Sequence, residues 1–205
     1  MKKEKSFETL LIAGGALCFD FINTVSAWRP KNYHEYLPDY NEFIRWCEIV
    51  AVLPSEELEH LKSEARAHPD QADRALKIII HTRQVLFDFF SALAANDPQG
   101  MTAALPSFNK ALNESFSSIG FAITAERLGL VYHKQQPDLL TPLRKILLSA
   151  YNILTTEDLT RIKECPTCKW VFYDRTKNGK RRWCSSDSCG TADKMKRYYH
   201  KKTKA

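Results

Sequence analysis

The chain has no apolar run near the roughly 20 residues that a membrane-spanning helix requires, so no transmembrane segment is expected. It also lacks a glycine-rich phosphate loop, a G-x-S-x-G turn and an H-E-x-x-H pair. The six histidines (His34, His60, His68, His81, His133 and His200) show no metal-ligand spacing. No residue set asks for catalysis, and the chain is read as a non-enzyme. Internal repeats and low-complexity stretches are missing too. The basic start, Met1 to Lys5, is followed only by short apolar runs broken by Gly14, Gly15 and Asp20. No signal peptide is therefore expected, and a cytoplasmic location is.

What is present fits a soluble globular protein: 205 residues, 44% hydrophobic and 26% charged, enough for one domain with a core plus a small module. The net charge of +6 is unevenly spread. Residues 161–205 hold 14 Lys and Arg against four acids, a net +10, whereas residues 1–160 hold 16 against 20, a net −4. A strongly basic tail predicts an anionic partner.

Hydrophobic periodicity places helices along most of the body. Ala16 to Ala27 reads as a short amphipathic helix entered through Gly14-Gly15, and Trp28 to Asp39, with two prolines, as a loop. Further helices are expected over Asn41 to Val52, from Glu56 under a Ser55 cap, and over Gln71 to Ala95. Pro98-Gln99-Gly100 is read as ending the last of these. Met101 to Ser117 and the stripe from Leu139 to Leu154 add two more helices, and Thr156 is expected to lead a short one. Ile119 to Thr124 and Leu128 to His133 suggest a hairpin.

The strongest signal is Cys165-x2-Cys168, then fifteen residues, then Cys184-x4-Cys189. Two cysteines separated by two residues form a knuckle that offers both sulfurs to one ion, and a second pair completes a tetrahedral thiolate site. One structural Zn2+ per chain is the favoured reading, because a reducing compartment disfavours disulfides and four thiolates leave no open position for a substrate. A disulfide pair and an iron–sulfur cluster are the alternatives. Cys18 and Cys47 lie among apolar residues and read as core thiols.

Between the pairs, Trp170 to Trp183 reads as a hairpin around Asn178-Gly179. After Cys189 a basic helix is expected, with Thr191 as its N-cap. Lys177, Lys180, Arg181, Arg182, Lys194, Arg197 and Lys201 then surround one small unit and are the candidate nucleic-acid contacts. Trp170, Phe172 and Trp183 read as its mini-core, whereas Tyr198 and Tyr199 are expected to be exposed.

Both ends of the chain resemble one family. GGALCFDFINTV near the start resembles the ABATE domain, and CPTCKWVFYDRTKNGKRRWCSSDSCGTADKMKRYYHKK resembles the CGNR zinc finger that follows it. Arg83 and the Phe108-Asn109 region add weaker matches between them. The resemblance implies a bacterial stress-related transcription regulator whose finger binds DNA. The family's Cys-Gly-Asn-Arg is here Cys189-Gly190-Thr191-Ala192, so the ligand and glycine persist while the amide and guanidinium do not. Lys194 and the run Arg181-Arg182-Trp183-Cys184 match the family's pattern.

Asp20, Asn23 and Thr24 share a face if their segment is helical, and Arg83 falls on the apolar stripe of the long helix. A guanidinium there requires a buried carboxylate partner, for which Asp20 is the candidate. The cluster is read either as an effector site or as a structural ion-pair network, with the second preferred.

The expected architecture is mainly α: a multihelical body with one β-hairpin over residues 1–160, plus a small treble-clef-like zinc module with a basic C-terminal helix over residues 161–205. The expected function is transcription regulation through DNA, with a small-molecule effector and a homodimer as further partners. The alternative is an adaptor whose basic module binds an acidic protein surface or RNA. A redox sensor acting through the zinc thiolates is a third class.

Overall fold

The computed structural model describes residue 7 and residues 10–28, 33–117, 119–124, 127–132 and 137–202. Amphipathic spacing builds the body around one long helix. In α4 (Pro69–Ala94), Ala72, Ala75, Ile79, Arg83, Leu86 and Phe90 recur at steps of three and four and are buried. Pro69 begins the helix where its missing N–H costs nothing. Around this spine lie α1 (Leu17–Ile22), α2 (Tyr40–Ile49), α3 (Ser55–Ala67), α5 (Pro98–Phe116) and α6 (Thr141–Thr156). Aromatic contacts lock them together. Phe19 meets Phe90 edge-on at 4.9 Å, and Phe89 stacks on Phe108 at 4.3 Å.

Two antiparallel strands, β1 (Ile119–Thr124) and β2 (Arg127–Tyr132), follow α5 and leave Phe121, Ile123 and Leu128 exposed. Glu126 and His133, at the expected turn and strand end, lie outside the described residues, as do residues 29–32 of the expected loop. No described helix is long and apolar enough to cross a membrane.

Several boundaries differ from expectation for local reasons. Helix α1 stops at Ile22 instead of running to Ala27. Asn23 turns its amide to the carbonyl of Val171, and the Thr24 hydroxyl bonds the carbonyl of Phe21, so both side chains compete with helix continuation. Asp20, Asn23 and Thr24 consequently do not line one face of a continuous helix. Helix α3 has Pro54, not Ser55, at its N-cap position. Pro98 begins α5 instead of closing α4, because Asn96 takes φ 51° and Asp97 caps Gln99. The short turn after α6, Leu159–Arg161, is led by Asp158 and not by Thr156.

The largest correction concerns the cysteine module. Trp170 to Trp183 does not form a hairpin on itself. Instead β3 (Ile162–Glu164) pairs with β4 (Val171–Tyr173), and the first cysteine pair lies in the connection between them. Lys169, at φ 68°, turns the chain, with Cys165 and Trp170 bonded N–H to carbonyl at 2.8 Å. Alternation explains the choice: Ile162, Val171 and Tyr173 join the body's core, which burial rewards. Asn178-Gly179 forms only a surface turn. A wide helical turn, Ser186–Gly190, then leads into α7 (Thr191–Lys202). Thr191 lies inside that helix, and Ser185 caps the turn before it.

The candidate metal centre

The knuckle between β3 and β4 presents Cys165 and Cys168, and the turn before α7 presents Cys184 and Cys189. All four sulfurs lie within 4.8 Å of one another. Cys168 and Cys184 approach to 3.5 Å, and Cys184 and Cys189 to 3.6 Å. A tetrahedral zinc with bonds of about 2.3 Å sets its sulfurs roughly 3.8 Å apart, so the quartet fits one such ion. The thiols are unbridged, and sulfurs this close leave no room for the inorganic sulfides of a cluster. Hydrogen bonding from Cys168, Cys184 and Cys189 pulls the Cys165 thiol far below its ordinary value, while hydrogen bonding with Cys165, Cys168 and Cys189 pushes Cys184 far above. Four thiolates cannot share this volume without a cation to neutralise them. The thiols of Cys18 and Cys47 contrast with these. Burial raises both, the former to about 12, as suits core residues.

The centre is braced from both sides. Trp170, Phe172 and Trp183 pack beside it, as expected, joined by Leu10, Ala27 and Trp28 from the N-terminal segment. The Trp170 indole donates to the carbonyl of Val25 at 2.8 Å, and the Trp28 amide donates to the carbonyl of Cys168 at 2.9 Å. Gly14 accepts from the amide of Tyr173 at 2.7 Å. A Cβ on Gly15, which has φ 79°, would meet the Tyr173 carbonyl at 2.6 Å, so only glycine admits the hairpin here. The GGALCFDFINTV stretch is thus the seat of the cysteine module. Sequence reasoning missed that role, since nothing local links residues 150 positions apart.

Inside the module Asp174 is wholly buried and accepts from Lys163 at 2.7 Å, the Thr176 hydroxyl at 2.6 Å and the Arg181 amide at 2.7 Å. Burial opposes its charge, but these donors outweigh burial and hold its carboxyl well below the usual range. The guanidinium of Arg181 also turns inward. It donates to the carbonyls of Trp183, Ala13 and Cys184 and lies 4.7 Å over the Phe172 ring. Arg181 is therefore a brace, unlike its expected role as a nucleic-acid contact. Lys177, Lys180, Arg182, Lys194 and Arg197 are exposed, with Arg197 paired to Asp193 at 3.1 Å. The side chain of Lys201 lies outside the described residues.

Arg83 is buried at 1% exposure, but its carboxylate partner is Glu35, not Asp20. It donates to Glu35 at 2.8 Å and to the Thr24 hydroxyl at 2.8 Å. Asp20 instead accepts from the amide of Gly14 at 2.7 Å, and burial pushes its carboxyl up to about 6. Glu35 escaped sequence reasoning because it lies in a loop without periodicity. Among the described residues its regular backbone pairing is a single bridge to Val25.

Residues 15–157 match a family model described as ABATE, putative stress-induced transcription regulator, and residues 161–202 match the CGNR zinc finger. The chain belongs to the ABATE family. A comparison with curated proteins gave no match. In this ABATE protein the boundary between the two matched segments is not a break in packing, because Ile162, Val171 and Tyr173 on the finger's side are part of the body's core. With four cysteines gathered in its CGNR segment, the chain carries one structural zinc.

Proposed function

We propose that this protein is a DNA-binding transcription regulator whose zinc module meets the phosphate backbone. The exposed cations Lys177, Lys180, Arg182, Lys194 and Arg197 carry the reading. They stand on a unit fixed by a metal, while Arg181 and Lys163 are turned inward as braces. Lys201 joins them by its place in α7. The regulator description of the family supports the same reading. The body then acts as the module's scaffold. The Arg83 cluster is a structural clamp more than an effector site, because Glu35 and Thr24 already fill the guanidinium's donors at NH1. Two copies acting on adjacent sites would supply the affinity that one small finger lacks.

The test is a salt series with the zinc-loaded chain and a mixed-sequence DNA duplex, read by fluorescence anisotropy. Six phosphate contacts predict that log affinity falls against log salt with a slope of about −5 to −6. A slope near zero, or no binding at low salt, would refute the duplex-binding reading.

A further inference from the structure

Helix α7 contributes little to the core, and its residues from Thr191 to Tyr199 are exposed apart from the half-buried Asp193. Its exposed groups are nonetheless ordered. At 3.6 residues per turn, Lys194, Tyr198 and Lys202 follow one another at steps of four, with Met195 and Tyr199 alongside. Tyr198 is 57% exposed, Tyr199 60% and Met195 54%. The Lys202 ammonium lies 5.4 Å from the centre of the Tyr198 ring, and the two tyrosine rings meet edge-on at 5.7 Å. The helix's acid, Asp193, lies on the opposite side and is neutralised by Arg197 at 3.1 Å. One face therefore alternates aromatic rings with ammonium groups and carries no negative charge.

A helix that reads an intact duplex needs side chains with donors matched to base edges near its start. Here those positions are Thr191, whose hydroxyl already donates to the Ser186 carbonyl at 3.3 Å, and Ala192, which has no donor. Aromatic rings between cations suit a different target. Flat rings stack on unpaired bases while the ammonium groups follow the phosphates, a combination that tolerates any sequence. We propose that the Lys194–Tyr198–Lys202 face of α7 binds unpaired bases, so that the protein prefers single-stranded or locally opened nucleic acid to intact duplex. The proposal rests on the nucleic-acid reading above and adds which strand state is bound and which residues select it.

The experiment uses the zinc-loaded full chain and a fluorescein-labelled DNA strand of mixed sequence, alone or annealed to its complement. The single strand is expected to bind more tightly than the duplex. Tyr198→Ala should weaken single-strand binding by roughly 5- to 150-fold, the range for loss of one stacked base, and leave duplex binding nearly unchanged. Tyr198→Phe, which keeps the ring, should retain the preference, and equal zinc content in both variants shows that the module is intact. Duplex binding equal to or tighter than single-strand binding would overturn the proposal while leaving the DNA-binding reading in place. So would a Tyr198→Ala loss that is the same for both forms. Absence of binding to both forms would overturn the nucleic-acid reading itself.

Discussion

The two halves of the zinc module use the same residue types in opposite ways. In β3, β4 and the turn that follows, Arg161, Lys163 and Arg181 are consumed internally, and only Lys177, Lys180 and Arg182 among the candidate contacts stay exposed. Lys163 bonds Asp174, Arg161 bonds the carbonyls of Asp174 and Thr176, and Arg181 bonds those of Trp183, Ala13 and Cys184. In α7, Lys194, Lys196, Tyr198, Tyr199 and Lys202 face water. The difference follows from what each half lies against. The hairpin is clasped by α1 and α4, whereas α7 extends from the metal-bound turn. A net charge of +10 over the segment cannot distinguish these uses. The inner half shares the body's core, so the outer half is expected to depend more on the metal.

Removing the metal should break the comparison most visibly. Structural zinc sites contribute on the order of 10–16 kcal/mol in isolated finger peptides, most of which is folding energy. Chelation, or Cys184→Ser, should expose the amides of α7 and its preceding turn to rapid hydrogen exchange while Ile162–Glu164 stay protected. Equal loss of protection in both halves would show that the hairpin is not part of the body's fold.

A smaller effect is expected from the clamp behind the hairpin. Arg83→Met leaves the Glu35 carboxylate without its guanidinium, and the guanidinium also lies 5.8 Å over the Trp28 ring whose backbone amide holds Cys168. The loss should be about 3 kcal/mol, read as a lower urea midpoint with zinc stoichiometry unchanged. A variant as stable as the wild type would remove the clamp from the account.

Asp20 supplies a pH test of the seat that holds the hairpin. Its folded value, about 6, exceeds the ordinary 3.8, so its contribution to stability is full below about 3.8 and is lost as pH rises through about 6. Relative to Asp20→Asn, which still accepts from Gly14, the wild type should lose about 1–2 kcal/mol across that window after allowance for partial exposure. Parallel stability curves would contradict the burial argument. Asp174 has the opposite sign. Its carboxyl is depressed, so its stabilisation is present near neutrality and fades as pH falls through the acid range.

Least affected by mutation should be the stability contributed by the exposed cations, including those of the turn after β4. Lys177→Ala is expected to stay within about 0.5 kcal/mol of wild type in denaturant. The same change should reduce the salt slope of DNA binding by about one. A destabilised variant with an unchanged slope would move Lys177 to the structural set.

The zinc ligands were legible in the sequence because four cysteines at that spacing have few other uses, and α4 was legible because its stripe repeats over about five turns. The β3–β4 pairing was not. Asn178-Gly179 is a strong local hairpin signal, but the gain from burying Ile162, Val171 and Tyr173 in a core assembled from distant residues prevailed over it. The carboxylate opposite Arg83 was misplaced for a related reason. Charge balance required a partner, but only the fold of the loop around Glu35 determined which one. Likewise the inward turn of Arg181 depends on the Ala13 carbonyl, 168 residues away in sequence.

The most direct test of the central claim is DNA anisotropy of the same zinc-assayed sample before chelation, after chelation, and after zinc is restored. The account predicts one zinc per chain, binding that disappears with the metal, and recovery when zinc returns. Binding unchanged by chelation, or a chain that binds DNA without zinc, would contradict it.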